Sequence, residues 1–173
     1  MNFETLTASA PLIIKRKLVQ LKFLRERPDF HPEPSTFEHI KIVTQRLEQT
    51  NDINLIFAGI LHDICKLDTV QVNEKTGWPT SPGHATAAFE LIKDSPEIID
   101  WIFRNGGNWL KVANICKGHM RIQQLDDMKE SKRLKTIQEW KEQEVWDSLQ
   151  IFTESDNMIQ EFNLEMVITN LKK

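Results

Sequence analysis

Apolar side chains recur along most of the chain at intervals of three and four positions, which is the spacing of one face of an α-helix. The segment 11–27 follows this pattern, and Pro28 is expected to end it because proline disfavours a helical residue before it. Ser35 and Glu38 then have the spacing of a capping box, which predicts a helix through about Leu47. The pattern therefore predicts an all-α fold.

Signals for the start of a helix continue into the C-terminal part of the chain. They lie at Asn51 or Asp52, Ser81-Pro82, Ser95-Pro96, Asn108 and Ser131. The helix from Asn108 is expected to reach about Lys117, with Gly118 and His119 at its C-terminal end.

The connection formed by residues 66–83 contains a turn signal, Asn73-Glu74-Lys75-Thr76-Gly77, and valines that alternate with polar residues before it. We expect a small β-hairpin in this connection. At 173 residues the chain has the length of one ordinary domain. Residues 1–173 are therefore expected to form a single helical-bundle domain, with a central region of about 30–157 and flanking helices at 5–27 and 160–173.

The composition narrows the range of partners. The net charge is -3, which gives no sign of bulk electrostatic binding to nucleic acid. No apolar run reaches membrane-spanning length, and the first residues lack the layout of a signal peptide. Cys65 and Cys116 are expected to be buried free thiols in a reducing compartment. We therefore expect a cytoplasmic protein without a membrane partner.

His62 and Asp63 stand side by side at the C-terminal edge of the most apolar predicted helix. An ionised carboxylate beside a hydrophobic core is unfavourable unless a cation or hydrogen-bond donors meet it. A divalent metal ion meets that need, and imidazole and carboxylate are both good ligands for one. The alternative is a solvated turn with a structural histidine, so the pair forms a site only if further ligands converge on it.

Four other candidate ligands share the placement of this pair, at helix ends or on helix edges that face the core. They are His39, His84, His119 and Asp156. Together with His62 and Asp63, they have the donor types and the distribution of a metal centre inside a helical bundle. Imidazole and carboxylate ligands suit Fe, Mn, Zn, Co or Ni.

The order of these residues resembles the H…HD…D pattern of the HD-domain superfamily, whose members are mostly metal-dependent phosphohydrolases with an all-helical fold. The local sequence is most similar to the HD domain of bacterial CCA-adding enzymes. The similar segments are Phe30-His31-Pro32-Glu33, Phe37-Glu38-His39, Leu61-His62-Asp63-Ile64-Cys65-Lys66, Pro82-Gly83-His84 and His119-Met120-Arg121. The resemblance covers about residues 30–157 and implies a helical bundle of the HD type.

The resemblance also implies which residues bind metal. The ligands of a first ion would be His39, His62, Asp63 and Asp156. A second ion would be held by His84 and His119, with Asp63 as the bridge. One or two divalent ions are implied, drawn from Fe, Mn, Co, Ni, Zn and Mg.

The catalytic residues implied by the resemblance are Asp63 and Lys66. Lys66 and Arg121 would contact the substrate phosphate, and His31 would bind another part of the substrate. His31 and Glu33 lie between prolines, so they are expected either over the mouth of the site or in a rigid turn packed on the helix end.

The activity that the resemblance implies is hydrolysis of a phosphomonoester or a cyclic phosphodiester of a nucleotide by metal-activated water. The expected partner is a small nucleotide or the end of an RNA. Two alternatives stay open. Some HD-fold proteins are di-iron oxygenases with the same six ligands and a lysine at the position of Lys66, and a non-catalytic HD domain would bind a nucleotide without cleaving it.

Overall fold

The computed structural model describes residues 1–29, 32–157, 163, 165 and 169. Within these residues the secondary structure comprises nine α-helices, one short 3-10 helix and one two-stranded sheet. The helices are α1 (Phe3–Ser9), α2 (Leu12–Leu21), α3 (Thr36–Glu48), α4 (Ile53–Leu61), α5 (His84–Asp94), α6 (Pro96–Arg104), α7 (Trp109–Ile122), α8 (Glu130–Glu142) and α9 (Trp146–Asp156). The predicted all-α fold is confirmed.

The predicted hairpin is also confirmed. Strand β1 (Gln71–Val72) pairs antiparallel with β2 (Pro79–Thr80), with Gln71 opposite Thr80. The side chain of Asn73 accepts a hydrogen bond from the backbone of Lys75 at 3.0 Å, so it closes the turn as an Asx turn does. Gly77 supplies the left-handed conformation, with φ of 71°, that the return of the chain requires.

The single N-terminal helix predicted over 5–27 is wrong, because two helices occupy this region and the second ends at Leu21. Ala10 separates them in an extended conformation, with φ of -64° and ψ of 150°. Pro11 follows Ala10 and disfavours the helical conformation there. Ile14 on α2 is fully buried, whereas Leu12 at the first position of this helix is 59% exposed.

Two other predicted boundaries differ from the structure. Helix α5 begins at His84 rather than at Pro82, because Gly83 adopts a left-handed conformation with φ of 80° at the N-cap. Helix α7 continues past Lys117 to Ile122, so Gly118 lies inside the helix and does not end it. A Cβ atom at Gly118 would lie 2.8 Å from Cδ2 of Leu149 on α9. This glycine therefore allows two helices to pack closely.

Helix α4 is the centre of the core, and every residue from Leu55 to Leu61 is buried. It packs between α3 on one side and α7 on the other, and it also contacts α9. Gly59 lets α3 approach closely, because a Cβ atom there would lie 3.0 Å from Cα of Thr44. Because protein interiors are closely packed, such contacts hold the helices in fixed positions. The histidines on these helices are therefore placed by the core itself.

The remaining predictions about the fold concern the cysteines and the C-terminus. Cys65 and Cys116 are buried free thiols, as predicted. The C-terminal helix predicted over 160–173 lies outside the described residues, apart from three isolated positions. None of the helices in the part of the chain that the structure describes is long and apolar enough to cross a membrane.

Candidate metal centre

The six predicted ligands come from five helices and lie around one point in the core. His39 is on α3, His62 follows the last residue of α4, and Asp63 is in the turn after it. The other three lie at helix ends: His84 begins α5, His119 is in the last turn of α7, and Asp156 ends α9. The four histidines and Asp63 are all buried, and the side chain of Asp156 is 11% exposed. The structure brings all six together.

One group of donor atoms surrounds one oxygen of Asp63. Its Oδ2 atom lies 3.2 Å from Nε2 of His62 and 3.7 Å from Nε2 of His39. The two histidine Nε2 atoms are 3.4 Å apart, and Oδ1 of Asp156 lies 2.9 Å from Nε2 of His39. His39, His62 and Asp63 therefore form a compact set of potential ligands, with Asp156 beside it.

A second group surrounds the other oxygen of the same carboxylate. Oδ1 of Asp63 lies 3.1 Å from Nε2 of His84 and 3.8 Å from Nε2 of His119. The Nε2 atoms of His84 and His119 are 3.2 Å apart. Asp63 therefore belongs to both groups and presents one oxygen to each. This is the position that a bridging carboxylate would occupy between two metal ions.

The hydrogen bonds of the imidazole rings fix which nitrogen faces the centre. His62, His84 and His119 each direct Nδ1 at the backbone carbonyl three residues earlier, at 2.9, 2.7 and 2.6 Å. A carbonyl oxygen only accepts, so Nδ1 is the donor and Nε2 of the neutral ring carries the lone pair. His39 follows the same rule with a carboxylate, because its Nδ1 lies 3.3 Å from Oε1 of Glu33. Histidines that bind metal ions are oriented in this way.

A divalent cation fits this arrangement better than the side chains alone do. Lone pairs on Nε2 and carboxylate oxygens face one another in a buried space, where such contacts repel. Oδ1 of Asp63 is buried and accepts no hydrogen bond within the described residues, since its contact with His84 lacks hydrogen-bond geometry. A metal ion would satisfy that oxygen and the facing nitrogens at once. The donor set suits the borderline divalent metals that the sequence predicts.

The titration behaviour of the centre shows the same need for positive charge. Burial lowers the pKa of His39, but its hydrogen bonds to Asp156 and Glu33 outweigh burial and raise the pKa from 6.5 to about 10. Burial also opposes the rise in the pKa of His84, which the contact with Asp63 produces. By contrast, burial and the neighbouring His62 lower the pKa of His119 to about 4. Without a metal ion, a proton on His39 takes its place.

The carboxylates of the centre stay ionised. Burial alone would raise the pKa of Asp63, but the neighbouring His62 and Lys66 hold it well below its ordinary value. The same holds for Asp156, where the hydrogen bond to His39 outweighs burial and lowers the pKa. Both groups are therefore available as anionic ligands at neutral pH.

Lys66 is buried beside the centre. Its Nζ atom lies 2.8 Å from Oδ2 of Asp63 and 2.7 and 2.8 Å from the two carboxylate oxygens of Glu26. Burial lowers the pKa of Lys66, but the charges of Asp63 and Glu26 outweigh burial and raise it above its ordinary value. A permanent positive charge therefore holds one side of the Asp63 carboxylate. The predicted contact of Lys66 with a substrate phosphate stays a prediction.

Arg121 and His31 are the other two residues predicted to bind the substrate. Arg121 is exposed at the end of α7, and one of its guanidinium nitrogens donates to Oγ1 of Thr136 at 2.9 Å. Its predicted contact with a substrate phosphate stays a prediction. His31 lies outside the described residues.

Two acidic residues at the centre were not predicted in these roles. Glu26 pairs with Lys66 from a segment that the sequence placed in a helix, so no local signal marked it. Glu33 was expected at the site mouth or in a turn, yet its side chain is 3% exposed and meets His39. Its position between two prolines, six residues before His39, was the signal that pointed at the segment.

A cavity of about 1220 Å³ opens onto the centre. Asp63, His84 and His119 form its inner wall. The hairpin contributes Trp78 to the lining, and the end of α7 contributes Arg121. The cavity is larger than a typical site for one small ligand, which occupies roughly 300–1,000 Å³. Every predicted ligand except His62 lines the cavity, so a molecule that enters it reaches the centre.

Comparison with protein families identifies the class of the chain. The model of the HD domain matches residues 36–157, which is more than two thirds of the chain. This span begins at the start of α3 and includes all six residues of the centre. HD domains bind divalent metal ions and belong to a superfamily of metal-dependent hydrolases. Comparison with curated proteins and with solved structures gives no significant match. The protein belongs to the HD domain family.

Proposed function

We propose that this protein is a phosphohydrolase that cleaves a phosphomonoester or a cyclic phosphodiester of a nucleotide with the help of divalent metal. The observation that carries the proposal is the position of Asp63 between two sets of histidine nitrogens. A carboxylate that serves two cations is the arrangement of two-metal phosphoester hydrolases. The cavity beside it has room for a nucleotide.

The chemistry requires a nucleophilic water and neutralisation of charge on the phosphoryl group. Divalent metal held by the six ligands supplies both, since it lowers the pKa of water and offsets the negative oxygens. The oxygen of the water forms a bond to phosphorus, and the bond from phosphorus to the ester oxygen breaks. The departing ester oxygen takes up the proton that the water releases. A phosphomonoester therefore gives an alcohol and inorganic phosphate, whereas a cyclic phosphodiester gives a single phosphomonoester with a free hydroxyl.

The protein's own residues orient the participants. Lys66 fixes the Asp63 carboxylate from one side at 2.8 Å, which keeps its two oxygens directed at the two histidine groups. Backbone carbonyls fix His62, His84 and His119 in the tautomer that presents Nε2. On the outer wall, Arg121 offers a guanidinium that suits the oxygens of a phosphate.

The proposed substrate is a nucleotide because of two features. The local motifs resemble the HD domain of CCA-adding enzymes, which supports a nucleotide or an RNA end. Trp78 lines the cavity and is 38% exposed, so its ring is accessible to a planar base.

The proposal is tested by a screen of nucleoside monophosphates, triphosphates and 2′,3′-cyclic phosphates. The full chain is treated with a chelator and then supplied with Mn²⁺, Co²⁺, Ni²⁺, Zn²⁺, Mg²⁺ or Fe²⁺. We expect release of phosphate, or ring opening of a cyclic phosphate, that requires metal and disappears in Asp63→Asn. No hydrolysis of any compound by a metal-loaded, folded protein would contradict the proposal.

A di-iron oxygenase is the second candidate, and the donor set itself supports it. The four histidines, Asp63 and Asp156 are also suitable ligands for iron. Oxygenation consumes O₂, whereas phosphoester hydrolysis does not. Assays with Fe²⁺ under air and under nitrogen therefore separate the two: equal rates of phosphate release support hydrolysis, and O₂ uptake without phosphate release supports oxygenation.

A further inference from the structure

The ammonium group of Lys66 is enclosed by carboxylates. It carries three N–H donors, and three carboxylate oxygens lie 2.7 to 2.8 Å from Nζ, two from Glu26 and one from Asp63. The lysine is also only 5% exposed. A substrate oxygen therefore reaches this ammonium group only if one of the carboxylate oxygens moves away.

Glu26 is the partner of Lys66 that does not belong to the predicted metal ligands. It lies in the segment between α2 and α3, and its side chain is 15% exposed. It lines the same cavity as the metal ligands. Oγ1 of Thr36, at the start of α3, donates to its Oε1 atom at 2.8 Å. Thr36 and Lys66 therefore both hold the Glu26 carboxylate in place, and this carboxylate lines the cavity that a substrate would enter.

We propose that Glu26 determines the specificity of the site, because its carboxylate occupies the place beside Lys66 that a phosphoryl oxygen would need. This inference rests on the proposed phosphohydrolase function. An anionic group pairs with Lys66 only after it displaces Glu26, since Glu26 and Asp63 already flank the ammonium group and a third anion would meet the negative charge of Glu26 at close range. Phosphate groups are therefore directed to the other cations that line the cavity, Arg121 and Lys117. The wall at Glu26 suits an uncharged part of the substrate with hydrogen-bond donors.

The Glu26 carboxylate should therefore lower the affinity of the site for phosphate. The substitution Glu26→Gln removes its charge and keeps an oxygen that accepts from Lys66. Removing one unit of negative charge a few ångströms from a bound anion increases affinity by about tenfold or more. Inorganic phosphate is the probe, and its dissociation constant is measured by calorimetry on the full chain, both loaded with Mn²⁺ and treated with chelator.

Two control variants separate this role from a general effect of charge. Glu139→Gln removes a carboxylate from α8 that lines the same cavity without contacting Lys66. Because a distant charge is screened, the affinity for phosphate should change by less than about threefold. Glu26→Asp keeps the charge, so the affinity should stay near that of the wild type. If Glu26→Gln does not fold, Thr36→Val loosens the carboxylate without changing the charge and should increase the affinity in the same direction.

Binding of phosphate does not depend on turnover, so the two proposals fail in different ways. Equal phosphate affinity in the wild type, Glu26→Gln and Thr36→Val would overturn the role of Glu26 and leave the proposed function standing. An equal gain in Glu139→Gln and Glu26→Gln would overturn it as well. Tighter phosphate binding in Glu26→Gln alone supports the role, even if no phosphoester is hydrolysed, in which case only the proposed function fails.

Discussion

The Nε2 atoms of His84 and His119 lie 3.2 Å apart, and each ring donates through Nδ1 to a backbone carbonyl. In the neutral rings, both Nε2 atoms are acceptors, so they repel unless a proton or a metal ion lies near them. Oδ1 of Asp63 faces both nitrogens, and the other oxygen of this carboxylate faces His39 and His62. We therefore infer two metal positions that share Asp63.

Substitution of single ligands should remove the metal ions selectively. His84→Asn should lose the ion of its own group and keep the other, and His39→Asn should do the reverse. Asp63→Asn should lose both because it belongs to both groups. The metal content of purified, dialysed protein, measured by mass spectrometry, checks this. Gln124→Ala, which changes the cavity wall outside the ligand set, is the matched control and should keep both ions.

Glu33 should contribute to metal affinity without binding the metal. It accepts from Nδ1 of His39 at 3.3 Å and thereby orients the ring and makes Nε2 a better donor. Loss of such a partner typically weakens metal binding by about 10- to 100-fold, which is the expected effect of Glu33→Gln. Titration against a fluorescent metal chelator measures the change. Glu38→Gln, in the first turn of α3, should have no such effect, and equal losses in both variants would refute the role.

The stability of the metal-free protein should fall as the pH rises above neutrality. The pKa of His39 in the folded protein is about 10, against 6.5 ordinarily, and the pKa of His84 is also raised. Above pH 6.5 the folded state therefore binds more protons than the unfolded state, so the free energy of unfolding decreases up to the folded pKa. The decrease should be on the order of 1 kcal/mol per pH unit. Urea unfolding with chelator at pH 6.5, 7.5 and 8.5 measures it.

Metal binding should depend on pH in the opposite direction. A metal ion displaces the proton on His39, so its affinity increases as the pH rises. The stabilisation by Mn²⁺, taken as the difference between loaded and chelated protein, should therefore grow from pH 6.5 to 8.5. In His39→Gln the metal-free protein should show a flatter pH profile. A stability that rises with pH in the chelated wild type would show that His39 is not the group that holds the proton.

Close packing of α3 on α4 should be required for the centre. A methyl group at Gly59 would lie 2.9 Å from Oγ1 and 3.0 Å from Cα of Thr44, and backbone cannot move aside as a side chain can. Gly59→Ala should therefore lower the free energy of unfolding by about 1–3 kcal/mol and weaken metal binding, because His39 and His62 move apart. Denaturant unfolding and metal titration measure the two effects.

The same substitution at Gly118 gives a comparison for Gly59. Its methyl group would meet only the side chain of Leu149, which can change rotamer. Gly118→Ala should cost less stability than Gly59→Ala. A larger loss at Gly118 would mean that the contact between α7 and α9 is the more rigid one.

Much of the fold and of the centre could be predicted because the signals are local. Helical spacing gave the all-α class, and the capping box gave the start of α3, where Oγ of Ser35 accepts from the backbone of Glu38 at 3.3 Å. The placement of the six ligands at helix ends that face the core also follows from spacing along each helix. Their meeting at one point depends on how the helices pack, and the sequence suggested it only through the combination of residue types.

What could not be predicted depends on contacts between distant parts of the chain. The Lys66–Glu26 pair joins residues 40 positions apart, and the segment of Glu26 was expected to be helical. Gly118 was taken as a helix end, since glycine is common there, but its actual role is to admit Leu149. In both cases the contact partner, Lys66 for Glu26 and Leu149 for Gly118, lies on a different element that is distant in sequence.

The most direct test of the account is a crystal structure of the wild-type protein grown with Mn²⁺, with data collected at the manganese absorption edge. We predict two anomalous peaks, one within coordination distance of His39, His62 and Asp63 and the other within coordination distance of Asp63, His84 and His119. Full-occupancy manganese elsewhere on the protein, with no peak beside Asp63, would contradict the metal centre and the hydrolytic function inferred from it.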